Sequence, residues 1–292
     1  MTTSRARDIR FGGTWSPAQR AKNDALYAAA TLVLGAARRL SLPARIRLGR
    51  ALGALAWLSP TLRARAGLHA RGALGDAAPT SLACWLAMGE LAARWVEGLR
   101  PLPSRQLELA EPSRDALRGA LARGRGVVYA TAHLGPWEAM GPLLVAEGFP
   151  IVTLTRESYD PRFDALYRSL RDAHGVVTIA RGAPGAPKAI LRALRGGKVL
   201  GFPMDLVGRG VRTVDATWFE RPVPTPVGPA ELALRTGASV VVGTPAAGGE
   251  LLIRAIDTDG HDASSLTQAL ATELAARIRA TPTAYPWLAR AL

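Results

Sequence analysis

Cysteine occurs once in this 292-residue chain, at Cys84. An internal disulfide is therefore excluded, and one thiol with four histidines cannot assemble a cysteine-rich zinc site. Lysine is nearly as scarce: Lys22, Lys188 and Lys198 complete the set, and none precedes Ser or Thr, which removes the Walker A phosphate loop. The GxSxG elbow, the HExxH pair and the GxGxxG turn are missing too. With them goes the sequence support for elbow-type serine hydrolases, zincins and Rossmann dehydrogenases. Aromatic residues make up 6% of the chain and show no stacking motif, so nucleic acid is not an expected partner. No run of 18 apolar residues occurs, and no conventional membrane-spanning helix is expected. The opening MTTSRARDIR lacks the apolar core and cleavage site of a secretory signal, so a cytoplasmic location is expected. No cofactor and no metal are expected.

What the chain has in excess is arginine. The net charge is +14, from 37 basic against 23 acidic residues. Up to Arg71 there are 13 basic residues against Asp8 and Asp24, so nearly the whole excess lies in the first quarter. A patch of this kind suits an anionic membrane surface. Arginine-rich codon usage explains the amount of arginine equally well, though less well its placement. The uncharged run ALYAAATLVLGAA, residues 25–37, lies between charged flanks. As a helix it spans roughly 20 Å, too short for a bilayer and suited either to the lipid interface or to a buried helix. The next segment, 45–58, places Ile46, Leu48, Leu52, Leu55 and Leu58 among Arg45, Arg47 and Arg50, an amphipathic helix with a basic face. Further helices are expected over 60–74 and 79–99.

Beyond Arg100, the Pro- and Ser-containing stretch RPLPSRQLELAEPSRD reads as a connection, which divides the chain into a helical, basic, membrane-associating region (1–100) and an α/β domain (101–292). Strands are predicted at 126–132, 150–155, 176–180, 198–202, 239–244 and 251–256. Helices are predicted at 113–122, 136–146, 161–173, 184–194, 226–235 and 263–280. This alternation predicts an α/β fold, a mostly parallel sheet flanked by helices on both faces.

The informative stretch is VVYATAHLGPWEA, in which an apolar strand runs into His133, a Gly135-Pro136 turn follows and Glu138 closes the segment. With Pro136 at the first helical position, Glu138 is the third, and its carboxylate points back toward the imidazole. The pair then sits at a strand's carboxyl end, where open parallel sheets bind ligands. A His/carboxylate dyad without a Ser or Cys nucleophile fits direct acyl transfer to an alcohol. Plain capping of the helix and strand is the alternative.

These residues carry a resemblance. HLGPWE resembles the H-x4-D/E motif of the lysophospholipid acyltransferase superfamily, and specifically the bacterial lipid A biosynthesis (lauroyl/myristoyl-type) acyltransferases. Four more blocks are similar in order: LTRESYDPRFDALYRSLRDAHG, KVLGFPMD, WFERPVPTPVGPAELA and the closing PTAYPWLAR. Three positions depart from the family pattern, with Pro136 for Asn, Leu206 for Gln and Glu220 for Gly. The resemblance implies a glycerolipid acyltransferase-like fold with His133 and Glu138 catalytic. It also implies acyl-carrier protein or acyl-CoA as donor and a lipid acceptor: a lipid A precursor, a lysophospholipid, an ornithine-type lipid or a glycosylated phosphoinositide. The cytoplasmic face of the inner membrane is the implied location, peripheral or partly inserted. A non-catalytic peripheral membrane protein keeping the fold is the competing reading.

Five more residues are candidates for substrate binding. Arg156 offers a planar fork to oxyanions, or pairs with Glu157 or Asp160. Asp205 and Arg209 follow a strand end and line the same edge, or pair with each other. Thr225 and Gly228 flank a helix start whose amides hold an anion or are simply capped. Trp137 is expected in the core. His69, His174 and His261 have no partner at useful spacing and are expected in solvent.

Overall fold

The computed structural model describes residues 13–98, 106–156, 158–206 and 210–287. Four helices come first: α1 (Pro17–Arg38), α2 (Leu42–Trp57), α3 (Pro60–Leu74) and α4 (Ser81–Gly98). Each of the first three starts with a serine followed within two residues by proline, and Ser16 closes a capping box with Gln19 on α1. Residues 100–105 of the expected connection lie outside the described residues; beyond them Glu108 forms an isolated bridge with Glu250, and helix resumes at Glu111.

Helices α2 and α4 cross in close contact because, along their facing stripes, Gly49 and Gly53 on one lie against Gly89, Ala93 and the Trp85 backbone on the other. On α2 the stripe is Arg45, Gly49 and Gly53. On α4 it is Trp85, Gly89, Ala93 and Glu97. A side chain at Gly49 or Gly89 would run into the other helix's backbone. The same spacing corrects one expectation. Arg45 belongs not to the basic outer face but to the inner stripe, buried and paired with the buried Glu97. The outward face of α2 carries Leu48, Leu52 and Leu55, each about half exposed or more, with Leu58 just beyond.

Helix α1 divides its apolar run in the same way. Leu34 packs in a small cluster with Leu170, and Tyr27 meets Phe163 edge to face. Arg162 joins Asp24 at 2.6 Å and lies over the Tyr27 ring. Leu26, Leu32 and Val33 stay exposed, so the run is not a wholly buried helix. Among the described residues no helix is long and apolar enough to cross a membrane.

The rest of the chain alternates: α5 (Glu111–Ala122), β1 (Val127–Thr131), α6 (Met140–Ala146), β2 (Ile151–Thr155), α7 (Pro161–Asp172), β3 (Val177–Ala180), α8 (Ala186–Arg195) and β4 (Val199–Pro203). It then continues through β5 (Thr213–Trp218), β6 (Arg221–Pro226), α9 (Gly228–Thr236), β7 (Ser239–Pro245), β8 (Leu251–Ile256) and α10 (Ala263–Ala280). Six strands form one sheet in the order β3-β2-β4-β1-β7-β8, parallel except for β8. The mixed α/β fold with a mostly parallel sheet is therefore as expected.

The hairpin β5–β6 was not. Pro222, Pro224 and Pro226 argue against a strand, yet with a period of two they all occupy equivalent positions of a two-stranded antiparallel ribbon. Its turn holds Phe219 and Glu220 at positive φ. Glu220 thus stands in a left-handed conformation where the resembled family has glycine, which adopts it without strain.

Val128 and Val240 on one sheet face share a core with Leu266 and Leu270 of α10 and with Ala66, Ala70 and Cys84 of α3 and α4. The other face packs Val127, Tyr129 and Ile151 against Leu117 of α5 and Met140 and Leu144 of α6. The helical segment therefore shares its core with the sheet.

Candidate active site

Strand register builds the site. β1 and β4 are adjacent and parallel, with Thr131 opposite Pro203, so the residues two steps past each strand end meet. Those residues are His133 and Asp205. Asp205 Oδ1 lies 2.9 Å from His133 Nδ1, and Oδ2 accepts from the His133 backbone N–H at 3.0 Å. Asp205 is 1% exposed. A carboxylate only accepts, so Nδ1 carries the hydrogen and Nε2 keeps its lone pair. Burial disfavours the imidazolium, but the Asp205 hydrogen bond and the charges of Asp205 and Glu138 outweigh it and raise the His133 pKa. Tyr285, buried on the closing segment, borders Asp205; burial and that negative charge push its hydroxyl pKa well up.

The expected contact between His133 and Glu138 is replaced by another. Trp137–Ala139 forms a 3-10 turn, and α6 begins only at Met140 instead of Pro136. Glu138 therefore does not point back as in a capping box. It receives Arg171 on both oxygens, at 2.7 and 3.3 Å, and reaches His133 through its charge. Trp137 is half-buried and packs against the core on this sheet face, and it also meets His133 edge to face, with centroids 5.3 Å apart, where it borders the cavity.

That cavity has a volume of about 790 Å³. One part lies at the carboxyl edge of the sheet, with Arg156, Arg168 and Arg181 around it. The other runs along the sheet face beneath α6, between Tyr129, Ile151 and Val199 on one side and Met140 and Leu144 on the other. A smaller cleft of about 270 Å³, lined by Trp95, Tyr167 and His174, shares the Glu138–Arg171 pair with this cavity. His133 borders both.

The remaining candidates separate. Arg156 lines the cavity, while Asp160 is engaged by Arg162 at 2.7 Å; Glu157 lies outside the described residues. Arg209 also lies outside them. Gly228, the first residue of α9, lines the cavity. Thr225 has its hydroxyl used structurally, accepting from Trp218 Nε1 at 2.8 Å and donating to the Val223 carbonyl at 2.9 Å. It is 1% exposed and is not turned to a ligand. His69 is not free in solvent: its Nδ1 lies 2.8 Å from the Trp287 carbonyl, tying α3 to the closing segment. His261 Nδ1 lies 3.1 Å from Ser265 Oγ.

Sequence reasoning placed Asp205 at the right edge without pairing it to His133, and passed over Arg168, Arg171 and Arg181. The signal for Asp205 is the parallel register of β1 and β4, which brings together the residues two steps past each strand end. The three arginines gave no separable signal in an arginine-rich chain. Among the described residues no cluster of His, Cys, Asp and Glu is arranged to hold a metal ion.

The family model described as bacterial lipid A biosynthesis acyltransferase matches residues 93–292. A phosphatidylinositol mannoside acyltransferase of Mycobacterium tuberculosis (strain H37Rv) is 30% identical over 187 residues, 61% of this chain and 58% of the relative. The Mycolicibacterium smegmatis protein of the same name is 33% identical over 179 residues, 58% of this chain and 57% of the relative. The match thus spans less than two thirds of either relative's length.

Proposed function

Because this chain belongs to the bacterial lipid A biosynthesis acyltransferase family, we propose that it moves a fatty acyl group from an acyl thioester to a hydroxyl of a lipid acceptor. The observation that carries this reading is His133 itself, its Nδ1 held by a buried carboxylate and its ring beside an apolar cavity. His133 Nε2 takes the proton of the acceptor hydroxyl, and the oxygen attacks the thioester carbonyl. When the tetrahedral intermediate collapses, the carbon–sulfur bond breaks and the thiolate receives that proton from the imidazolium. Asp205 fixes the tautomer and, with Glu138, stabilises the transient positive charge. The arginines at the sheet edge, Arg156 foremost, hold the phosphates of coenzyme A or the acidic surface of acyl-carrier protein. Gly228 and its helix start border the same space.

For the acceptor, the class is a glycolipid or phospholipid hydroxyl. The two mycobacterial relatives are named for a mannosylated phosphoinositide, and a lipid A precursor is the other member of the class to test. The exposed leucines of α1 and α2 favour peripheral membrane binding and the arginines of the first quarter an anionic surface, at the cytoplasmic face where acyl-carrier protein and coenzyme A reside.

Incubating the purified protein with the same acyl chain on acyl-carrier protein and on coenzyme A, each with both acceptors, tests the reading by mass spectrometry. One added acyl group on one acceptor is expected, with acyl-carrier protein the better donor. No transfer from either donor to either acceptor would overturn it.

A further inference from the structure

The part of the cavity beneath α6 has a floor built from alternate residues of neighbouring strands. Strand β4 lies between β1 and β2; Val199, Gly201 and Pro203 alternate along its cavity side, and Phe202, which packs against the opposite core, touches the cavity's border. Gly201 pairs with Tyr129 on one side and Thr153 on the other, so it sits in the middle of that floor. It is the one residue of this rung that brings no side chain.

Nothing in the fold requires glycine there. A Cβ at Gly201 would meet no atom closer than the Val152 carbonyl oxygen at 3.8 Å, an ordinary contact. Gly243 on β7 is the opposite case, since a Cβ there would enter the Tyr129 ring. Nor does Gly201 have the positive φ that favours glycine. Glycine inside a strand costs stability relative to alanine, and where no packing demands it, it marks a place that something else approaches closely. Here the space over Gly201 is the cavity itself, with Tyr129 and Thr153 rising beside it.

We infer that Gly201 is the specificity-determining residue for acyl-chain length: its missing side chain leaves the passage through which the chain reaches the deep end at Ile151 and Val199. This rests on the acyl-transfer reading above. Gly201 lies two residues below Pro203, which pairs with Thr131, and His133 lies two residues above Thr131. At a strand rise of about 3.3 Å per residue, Gly201 sits about 13 Å below the reacting imidazole. An extended chain advances about 1.25 Å per carbon at ordinary bond lengths and angles, so roughly its first ten carbons end before Gly201. Shorter chains stop above it, and longer chains must pass it.

The test is the chain-length profile of transfer, from eight to sixteen carbons on one carrier, for native protein and for Gly201→Ala, Gly201→Val and Gly201→Leu, with thermal melts as a folding control. The expected result is a graded loss. Gly201→Leu lowers kcat/KM for the sixteen-carbon donor about tenfold or more, while the eight-carbon donor changes less than about twofold. Gly201→Ala falls between and keeps the series readable if the larger variants melt early. A profile unchanged in shape, or a loss equal at all lengths, would overturn the assignment while native transfer leaves the acyltransferase reading standing. No transfer by native protein at any length would remove that reading and this one together.

Discussion

His133 and Asp205 are 72 residues apart in the chain and are joined twice, through the imidazole Nδ1 at 2.9 Å and through the backbone N–H at 3.0 Å. The double contact fixes both the ring's tautomer and the position of the loop that carries it. It also sets a pH dependence. Only neutral imidazole accepts a proton, and the His133 pKa is raised despite burial, by the Asp205 hydrogen bond and the charges of Asp205 and Glu138. The acidic limb of the kcat/KM profile should therefore lie above the ordinary histidine value of about 6.5, with activity rising as pH increases through it. Glu138→Gln removes one of the charges that favour imidazolium and should move this limb to lower pH. Initial rates across pH 5–9 check both statements; a limb at or below the ordinary value in the native protein contradicts them.

The Arg45–Glu97 pair makes a separate prediction about stability. Both side chains are almost wholly buried between α2 and α4. Removing the cation leaves a buried carboxylate without this partner, which costs about 3–5 kcal/mol in comparable cases. Arg45→Ala should lose stability on that scale in urea unfolding, whereas Arg47→Ala, on the exposed side of the same helix, should change it by less than about 0.5 kcal/mol. Equal effects would contradict the placement of the two arginines.

Membrane binding should depend on the exposed faces of α1 and α2. Leu52 and Leu55 are 56% and 62% exposed, one turn apart on α2. Each leucine buried in a lipid interface contributes about 1.5 kcal/mol or more, so Leu52→Asp with Leu55→Asp should weaken binding to anionic vesicles roughly a hundredfold. Binding of the native protein should also fall with salt, because surface charges are screened. Co-sedimentation with anionic and neutral vesicles reads both, and equal binding by the double variant would exclude this face.

The strands of the main sheet were legible because their apolar runs are short and bounded by Gly and Pro. The β5–β6 hairpin was hidden by prolines, which argue against a strand unless their period matches the ribbon's free positions. His133 stood out from its position after an apolar strand. Its partner did not, because sequence spacing measures distance along the chain, while Asp205 arrives through the parallel register of β1 and β4. Glu138 was near in sequence but turned aside by a 3-10 turn, and its cation, Arg171, lies 33 residues away near the end of α7.

The central claim is that Asp205 holds His133 as the base for acyl transfer, and the turnover of Asp205→Asn measures it most directly. Asparagine keeps the size but offers an amide in place of a charge, so the imidazole loses the partner that fixes its tautomer. In a variant that thermal melts show to be folded, with KM for the acyl donor little changed, kcat should fall by roughly 10²–10⁴-fold. A well-folded Asp205→Asn that transfers acyl groups within a few-fold of the native rate would contradict the account.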